Sequence, residues 1–202
     1  METRDLILDK ARFEDWADMY RNVWSWSETA RYMLWQVTAG EEEAKARIER
    51  TIAWQKDHDV WLVREKSSGQ AIGWAGLAEL SPGIWQETSI ALGPDFVGQG
   101  YGRQILELLM EVARSRGGTE FRCSVRSENA ASKALIVSCG FTLAAEGPCV
   151  DQRDGRPYVL EVYTRELVGA HTVRPPLPHK KRADNVRPYT QVHRKLNRNE
   201  EI

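Results

Sequence analysis

Between residues 93 and 103 the chain reads Gly-Pro-Asp-Phe-Val-Gly-Gln-Gly-Tyr-Gly-Arg, with glycines at 98, 100 and 102. A strand-forming run, Ile84 to Leu92, precedes this stretch, and Ile105, Leu106, Leu109, Val112 and Ala113 follow it at helical spacing. Without side chains at the three glycines, the backbone can come close to a ligand. The amides of the helix's first turn point outward there, together with the positive end of its dipole. Such a loop is an anion site, most naturally for a pyrophosphate. Its spacing fits neither the GxxxxGK[ST] phosphate loop nor the GxGxxG dinucleotide fingerprint, so the order of the surrounding elements has to decide what it serves.

That order is legible. Leu6 to Leu8 form a short strand, and Phe13, Trp16, Ala17, Tyr20 and Trp24 recur as the apolar stripe of a first helix. Thr38-Ala39-Gly40-Glu41 has capping-box spacing and predicts a second helix with Thr38 as its cap, running to about Lys56. Val60 to Arg64, Ala71 to Leu80 and Ile84 to Leu92 are rich in aromatic and β-branched residues, and turn residues separate them. They predict an antiparallel meander. After the glycine loop come a helix ended by Gly117-Gly118, a strand from Glu120 to Val125 and a helix capped by Asn129 that stops at Gly140. A hairpin, Phe141 to Glu146 with Tyr158 to Arg165, turns at Asp151 to Gly155. The expected fold is α/β (α+β): a mixed, mainly antiparallel sheet of about seven strands with about four helices on its faces.

The 202 residues carry a net charge of −1, but residues 168–202 hold eight basic and three acidic residues, which leaves the body at −6. The same tail has four of the eight prolines and none of the eight tryptophans. It is therefore set apart as a basic arm, with the globular domain expected over residues 1–167. Three cysteines without metal-ligand spacing and a lone body histidine, His58, predict neither a disulfide framework nor a metal site. Cys123 and Cys139 read as small buried hydrophobes and His58 as a solvated loop residue, so a Ser-His-Asp or Cys-His triad is a poor account. No signal peptide or apolar run of membrane-spanning length is found, and a cytoplasmic, soluble protein is expected.

Glu87-Thr-Ser-Ile-Ala-Leu-Gly-Pro94, Gly98-Gln-Gly-Tyr-Gly102, Asn129-Ala-Ala-Ser132 and Gly140-Phe141 together resemble the GNAT superfamily of acyl-CoA-dependent N-acetyltransferases, in particular its branch of RimJ- and RimL-like ribosomal-protein N-acetyltransferases. The element order is similar from residue 3 to about 167, while the specific motifs lie between 87 and 141. The resemblance implies acetyl-CoA as cosubstrate and a primary amine as acceptor, joined by direct attack in a ternary complex without a metal. It implies that Gly98, Gln99, Gly100 and Gly102, with Arg103 nearby, hold the coenzyme A pyrophosphate. The strand Ile90, Ala91 and Leu92 would pair with the pantetheine arm, and Asn129 and Ser132 would lie near the arm and thioester. Glu87 is the expected general base and Ser132 a candidate donor to the leaving thiolate. Two departures stand out: Val97 replaces a common Arg or Gln, and Ile136 replaces the tyrosine acid of many members.

Trp16, Trp54, Trp61 and Trp74 read as core residues. Trp24, Trp26, Tyr32 and Trp35 flank the connection between the first two helices, which overhangs the acceptor cleft in this superfamily, and are expected to line the substrate pocket. The acidic body favours a cationic acceptor. A non-catalytic acyl-CoA-binding module, or one that docks RNA through the arm, is the alternative. A homodimer through the last hairpin or the arm stays open.

Overall fold

The computed structural model describes residues 1–167, so the basic arm at 168–202 lies outside the described residues. Seven strands form one sheet in the order β1-β2-β3-β4-β5-β7-β6. They are β1 (Leu6–Asp9), β2 (Asp59–Glu65), β3 (Ala71–Ser81), β4 (Ile84–Leu92), β5 (Glu120–Arg126), β6 (Thr142–Val150) and β7 (Pro157–Glu166). Every pairing is antiparallel except β4 with β5, which run parallel. The helices are α1 (Trp16–Met19), α2 (Ser27–Ala30), α3 (Glu41–Trp54), α4 (Tyr101–Ser115) and α5 (Ala130–Ser138). The mixed, mainly antiparallel architecture expected from the sequence is the one found.

Strand alternation divides the core in two. On β2, Trp61 and Val63 join Ile105, Leu109 and Phe121 in the cluster under α4 and α5, while Leu62 between them joins Val23, Trp24 and Ile48 under α1 and α3. The α4 stripe buries Ile105, Leu106, Leu109, Met110 and Ala113 on one side, and Gly117 at φ +84° closes the helix as its sequence predicted.

The first helical stripe departs from a plain helix. A 3₁₀ turn at Phe13–Asp15 leads into α1, and Tyr20–Trp24 then widens into a π turn in which the Ser25 N–H reaches back to the Tyr20 carbonyl. The widened turn sets the Asn22 carbonyl against Gly93, where a Cβ would collide with it. The second helix also starts later than its capping box implies. Gly40 is the N-cap, and Thr38 is buried with its hydroxyl accepting from Arg47 at 2.9 Å. Glu43, not Glu41, reaches back, accepting from the Ala39 amide at 2.6 Å. His58 is not simply solvated either, because its ring stacks on Trp54 with centroids 3.4 Å apart.

A buried ion pair ties the first helical segment to the sheet. Arg64 on β2 donates to both carboxylate oxygens of Asp15, at 2.8 and 2.6 Å, and to Asp9 at 2.8 Å. Both Asp15 and Arg64 are under 10% exposed, at 6% and 9%. Asp15→Asn takes away the bidentate partner and leaves Arg64 only Asp9, so it is expected to cost about 1–3 kcal/mol, read as a lowered denaturant midpoint at unchanged slope, and an unchanged midpoint would show that Arg64 is solvated.

Candidate active site

The site begins where two strands part. β4 and β5 pair over three residues only, Ile84 with Glu120, Trp85 with Phe121 and Gln86 with Arg122. Beyond these, β4 stays with β3 and β5 with β7, leaving the facing edges of 87–92 and 123–126 without strand partners. A bulge bends β4 at this point: Gly76 faces Ser89 and Leu77 faces Glu87, so Thr88 is an extra residue. Its hydroxyl lies where a Cβ on Gly76 would sit, and Val60 would meet the same Cβ at 2.8 Å. Glycine at 76 makes room for the bulge.

Glu87 is the first residue past the last pair. Its carboxylate accepts from the Ser124 amide of β5, across the parting strands, at 3.4 Å. Burial of the carboxyl pushes its pKa up to about 8, and the Ser124 hydrogen bond only partly offsets this. The Glu87 position expected from the sequence is thus at the apex of the split, with a carboxyl that titrates in the neutral range.

The glycine loop opens beside the free edge of β4. Gly98 and Gly100 have φ of +78° and +79°, and Gly100 is the N-cap of α4. A Cβ on either would meet nothing within 4 Å. Gly102 is different, since its Cβ would press on Leu135 at 3.0 Å, so this glycine serves helix packing. Backbone open to solvent at a helix N-terminus, with Val97 exposed beside it, suits a phosphate-bearing ligand. Arg103, expected nearby, is bound instead to Ser138 at the far end of α5, at 2.9 Å to the hydroxyl and 3.2 Å to the carbonyl, and to Glu107. Asn129 caps α5 by accepting from the Ser132 amide at 3.2 Å. Among the described residues none bonds to the Ser132 hydroxyl. Ile136 is buried in the core, so that position offers no proton.

The connection between α2 and α3 spans the open end of the split. Arg153, in the β6–β7 turn, donates to the carbonyls of Ala30, Trp35 and Arg31 at 3.0, 3.3 and 3.3 Å. Asp151, 2% exposed, holds Arg153 on one side and Arg126 of β5 on the other, and these two guanidinium groups keep its carboxyl far below the usual carboxylate range. The Tyr32 hydroxyl lies 3.4 Å from the Glu128 carbonyl just beyond β5. The aromatic group predicted to line a pocket therefore divides. Trp24 is buried at 2% exposure and is corrected to a core residue: Arg47 lies over its ring at 4.6 Å and over that of Trp35 at 4.3 Å. Tyr32 bridges to the β5 side, and Trp26 is exposed with its indole N–H on the Arg21 carbonyl. A separate hollow of about 410 Å³, lined by Trp16, Tyr20 and Glu41 among others, shares no residue with this site.

Residues 5–142 match the family described as Acetyltransferase (GNAT) domain. The chain belongs to the GNAT family. Among its relatives, the L-methionine sulfoximine/L-methionine sulfone acetyltransferase of Pseudomonas paraeruginosa is 33% identical over 99 residues, covering 47% of this chain and 58% of that protein. The N-alpha-acetyltransferase RimI of Mycobacterium tuberculosis is 33% identical over 99 residues, covering 48% and 59%. The chain thus spans less than two thirds of the length of the curated relatives it matches. In fold it is similar to RimL, a ribosomal L7/L12 alpha-N-protein acetyltransferase solved with coenzyme A, with a TM-score of 0.63 at 22% identity over 81% of this chain and 95% of that one. The GNAT membership implied by the sequence motifs is confirmed. The residue pairs Asp151–Arg153 and Glu87–Ser124 were not read from the sequence. Only their polar character in a turn and on a strand hinted at them.

Because folding raises the Glu87 pKa from 4.5 to about 8, the unfolded chain ionises this group first as pH rises, and the folded state loses stability progressively between those values. Glutamine carries no such loss. The melting temperature of Glu87→Gln should therefore gain on that of the parent from about pH 4.5 upward and level off above about pH 8. A difference that does not change with pH would mean the carboxyl is solvated.

Proposed function

We propose that this protein transfers an acetyl group from acetyl-CoA to a primary amine, preferably an α-amine, by direct attack in a ternary complex. The observation that carries this reading is the partly buried Glu87 carboxyl at the apex of the strand split, beside an open glycine loop at the head of a long helix. Acetyl-CoA, when bound, supplies the activated thioester. The amides of Gly98, Gln99 and Gly100 would hold its pyrophosphate, Gly102 lets α4 approach α5 behind them, and the unpaired edge at Ile90, Ala91 and Leu92 offers backbone groups to an extended arm. Ser132, its hydroxyl not engaged, is the candidate to donate to the departing sulfur, with Asn129 fixing the turn that presents it.

An amine must lose a proton before it can attack. Glu87, with a pKa of about 8, matches an α-amine of about 8, so that transfer is nearly balanced. For a lysine-like amine of about 10.4 the same transfer runs uphill by about 3 kcal/mol. The match favours amino-acid or peptide α-amines, the amine type given in the name of the N-alpha-acetyltransferase relative. In this reading residues 1–167 are the acetyl-transfer domain, in which Tyr32 and Trp26 are the aromatic residues left to meet an acceptor, and residues 168–202 are an appended segment.

Calorimetric titration of acetyl-CoA should give micromolar binding that Gly100→Trp abolishes, because a bulky side chain at positive φ both strains the turn and fills the space over it. Glu87→Gln should lower kcat/KM for an α-amine by about 10²–10⁴-fold and remove the rise in rate centred near pH 8. Absence of acetyl-CoA binding, or a Glu87→Gln variant as active as the parent, would sink the reading.

A further inference from the structure

β4 and β5 run parallel, so both end at the same side of the sheet, β4 at Leu92 and β5 at Arg126, and the split between their unpaired edges opens there. One stretch of the chain touches both lips of that opening. On the β4 lip the Asn22 carbonyl lies where a Cβ on Gly93 would sit, and the Asn22 side-chain amide donates to the Ala71 carbonyl of β3 at 2.9 Å. On the β5 lip the Tyr32 hydroxyl is 3.4 Å from the Glu128 carbonyl. Residues 22–32 thus reach from lip to lip across the open end of the split, and Glu87 lies at the other end, held by the Ser124 amide.

The β5 half of this bridge depends on one side chain from elsewhere. Residues 31–40 form turns and bends but no helix or strand, so no regular ladder of backbone hydrogen bonds fixes them. Arg153 of the β6–β7 turn does so instead. Its Nη1 donates to the Ala30 and Trp35 carbonyls at 3.0 and 3.3 Å and its Nη2 to the Arg31 carbonyl at 3.3 Å. The other side of the same guanidinium forms a fork with Asp151, Nε to Oδ1 at 3.0 Å and Nη2 to Oδ2 at 2.8 Å. Asp151 also accepts from Arg126, the last residue of β5, at 2.6 Å, and its side chain is 1% exposed. The carbonyls on either side of Tyr32 are therefore referred to the strand that lines the split. A planar guanidinium in a two-bond fork fixes direction as well as distance.

We infer that Arg153 is a positioning residue for the amine acceptor: through the Ala30, Arg31 and Trp35 carbonyls it sets where the bridging segment, with Tyr32, stands over the open end of the split, and so sets the passage by which an amine reaches Glu87. The inference rests on the acetyl-transfer reading above and adds to it the group that holds the acceptor side in place. Arg153 acts on the acceptor only through that segment, and no bond forms or breaks at it. Its hydrogen bonds go to the α2–α3 connection and to Asp151 and none to the glycine loop, so acetyl-CoA binding does not depend on it. A displacement of about 1 Å in a positioning element can cost about 10²-fold in rate.

The experiment compares the parent, Arg153→Ala and Arg153→Lys as full-length chains. It measures thiol release from acetyl-CoA with a panel of α-amino acids including L-methionine sulfone, alanyl peptides and polyamines, calorimetric acetyl-CoA affinity, and the rate at which trypsin cuts after Arg31. In Arg153→Ala, kcat/KM for the amine should fall by about 10–10²-fold, carried by the KM of the amine, while kcat at saturating amine and acetyl-CoA affinity stay within about twofold. Cleavage after Arg31 should quicken. Arg153→Lys, which keeps a charge beside Asp151 but lacks the fork, should show a smaller loss of the same kind, and it decides the matter where alanine prevents folding. An amine KM within about twofold of the parent in these variants overturns the inference, and if cleavage after Arg31 has quickened nonetheless, the segment is held by Arg153 but guides no acceptor. A loss that falls on kcat or on acetyl-CoA affinity as much as on the amine KM also overturns it, since Arg153 is then a packing residue. A parent chain that binds acetyl-CoA but releases no thiol with any of these amines overturns the acetyl-transfer reading itself, and the positioning role with it.

Discussion

Everything in this site follows from a sheet that stops pairing. A parallel ladder satisfies backbone groups along its length, and ending it after three residues exposes donors and acceptors that a compact domain ordinarily keeps matched. The bulge at Thr88 makes the separation tolerable by bending β4 away, and Gly76 makes the bulge tolerable by lacking a side chain. The opening is thus written into two neighbouring strands, and the helices only line it. The low polarity at its apex is a by-product of the same geometry: a carboxylate there is partly withdrawn from water and has a single amide donor, and this moves its pKa upward.

Charge networks complete what the sheet begins. Arg64 with Asp9 and Asp15 fixes the first helical segment, while Arg126, Asp151 and Arg153 join the end of β5 and the last hairpin to the carbonyls behind α2. The second network converts a short loop into a fixed wall, because one guanidinium holds three carbonyls and a carboxylate at once. Net stability gained from such buried charges is small, since desolvation offsets most of the attraction. Their effect is on placement, and placement is what a cleft between loops from distant parts of the chain needs.

How much of this was readable in advance depended on how local the cause was. The seven strands, the cap at Asn129, the left-handed ends at Gly117 and Gly140 and the loop glycines at 98 and 100 all follow from periodicity and neighbouring residues, and they were legible. Glu87 was legible as a candidate only because its motif was in register with others. Its raised pKa was not, for it depends on where β5 lies. Thr38 misled because its capping-box spacing is real, yet the Arg47 guanidinium claims the threonine hydroxyl and the helix begins two residues later. Trp24 misled in the same way, since no local pattern announces an arginine over a buried indole. Asp151 with Arg126 and Glu87 with Ser124 join residues 25 and 37 positions apart, and pairing at that distance leaves no periodic trace.

The π turn at Tyr20–Trp24 has a bearing on how this chain tolerates change in length. A widened turn holds one residue more than an α-helical turn, and each residue advances the helix by about 100°. Deleting one residue there would restore regular winding and leave Met19 and Val23 on the face they now bury, because the wide turn is what absorbs the extra residue. What it would withdraw is the Asn22 carbonyl from Gly93, where helical segment and glycine loop meet. The residue count of this helix is thus tied to the glycine loop and not to its buried stripe.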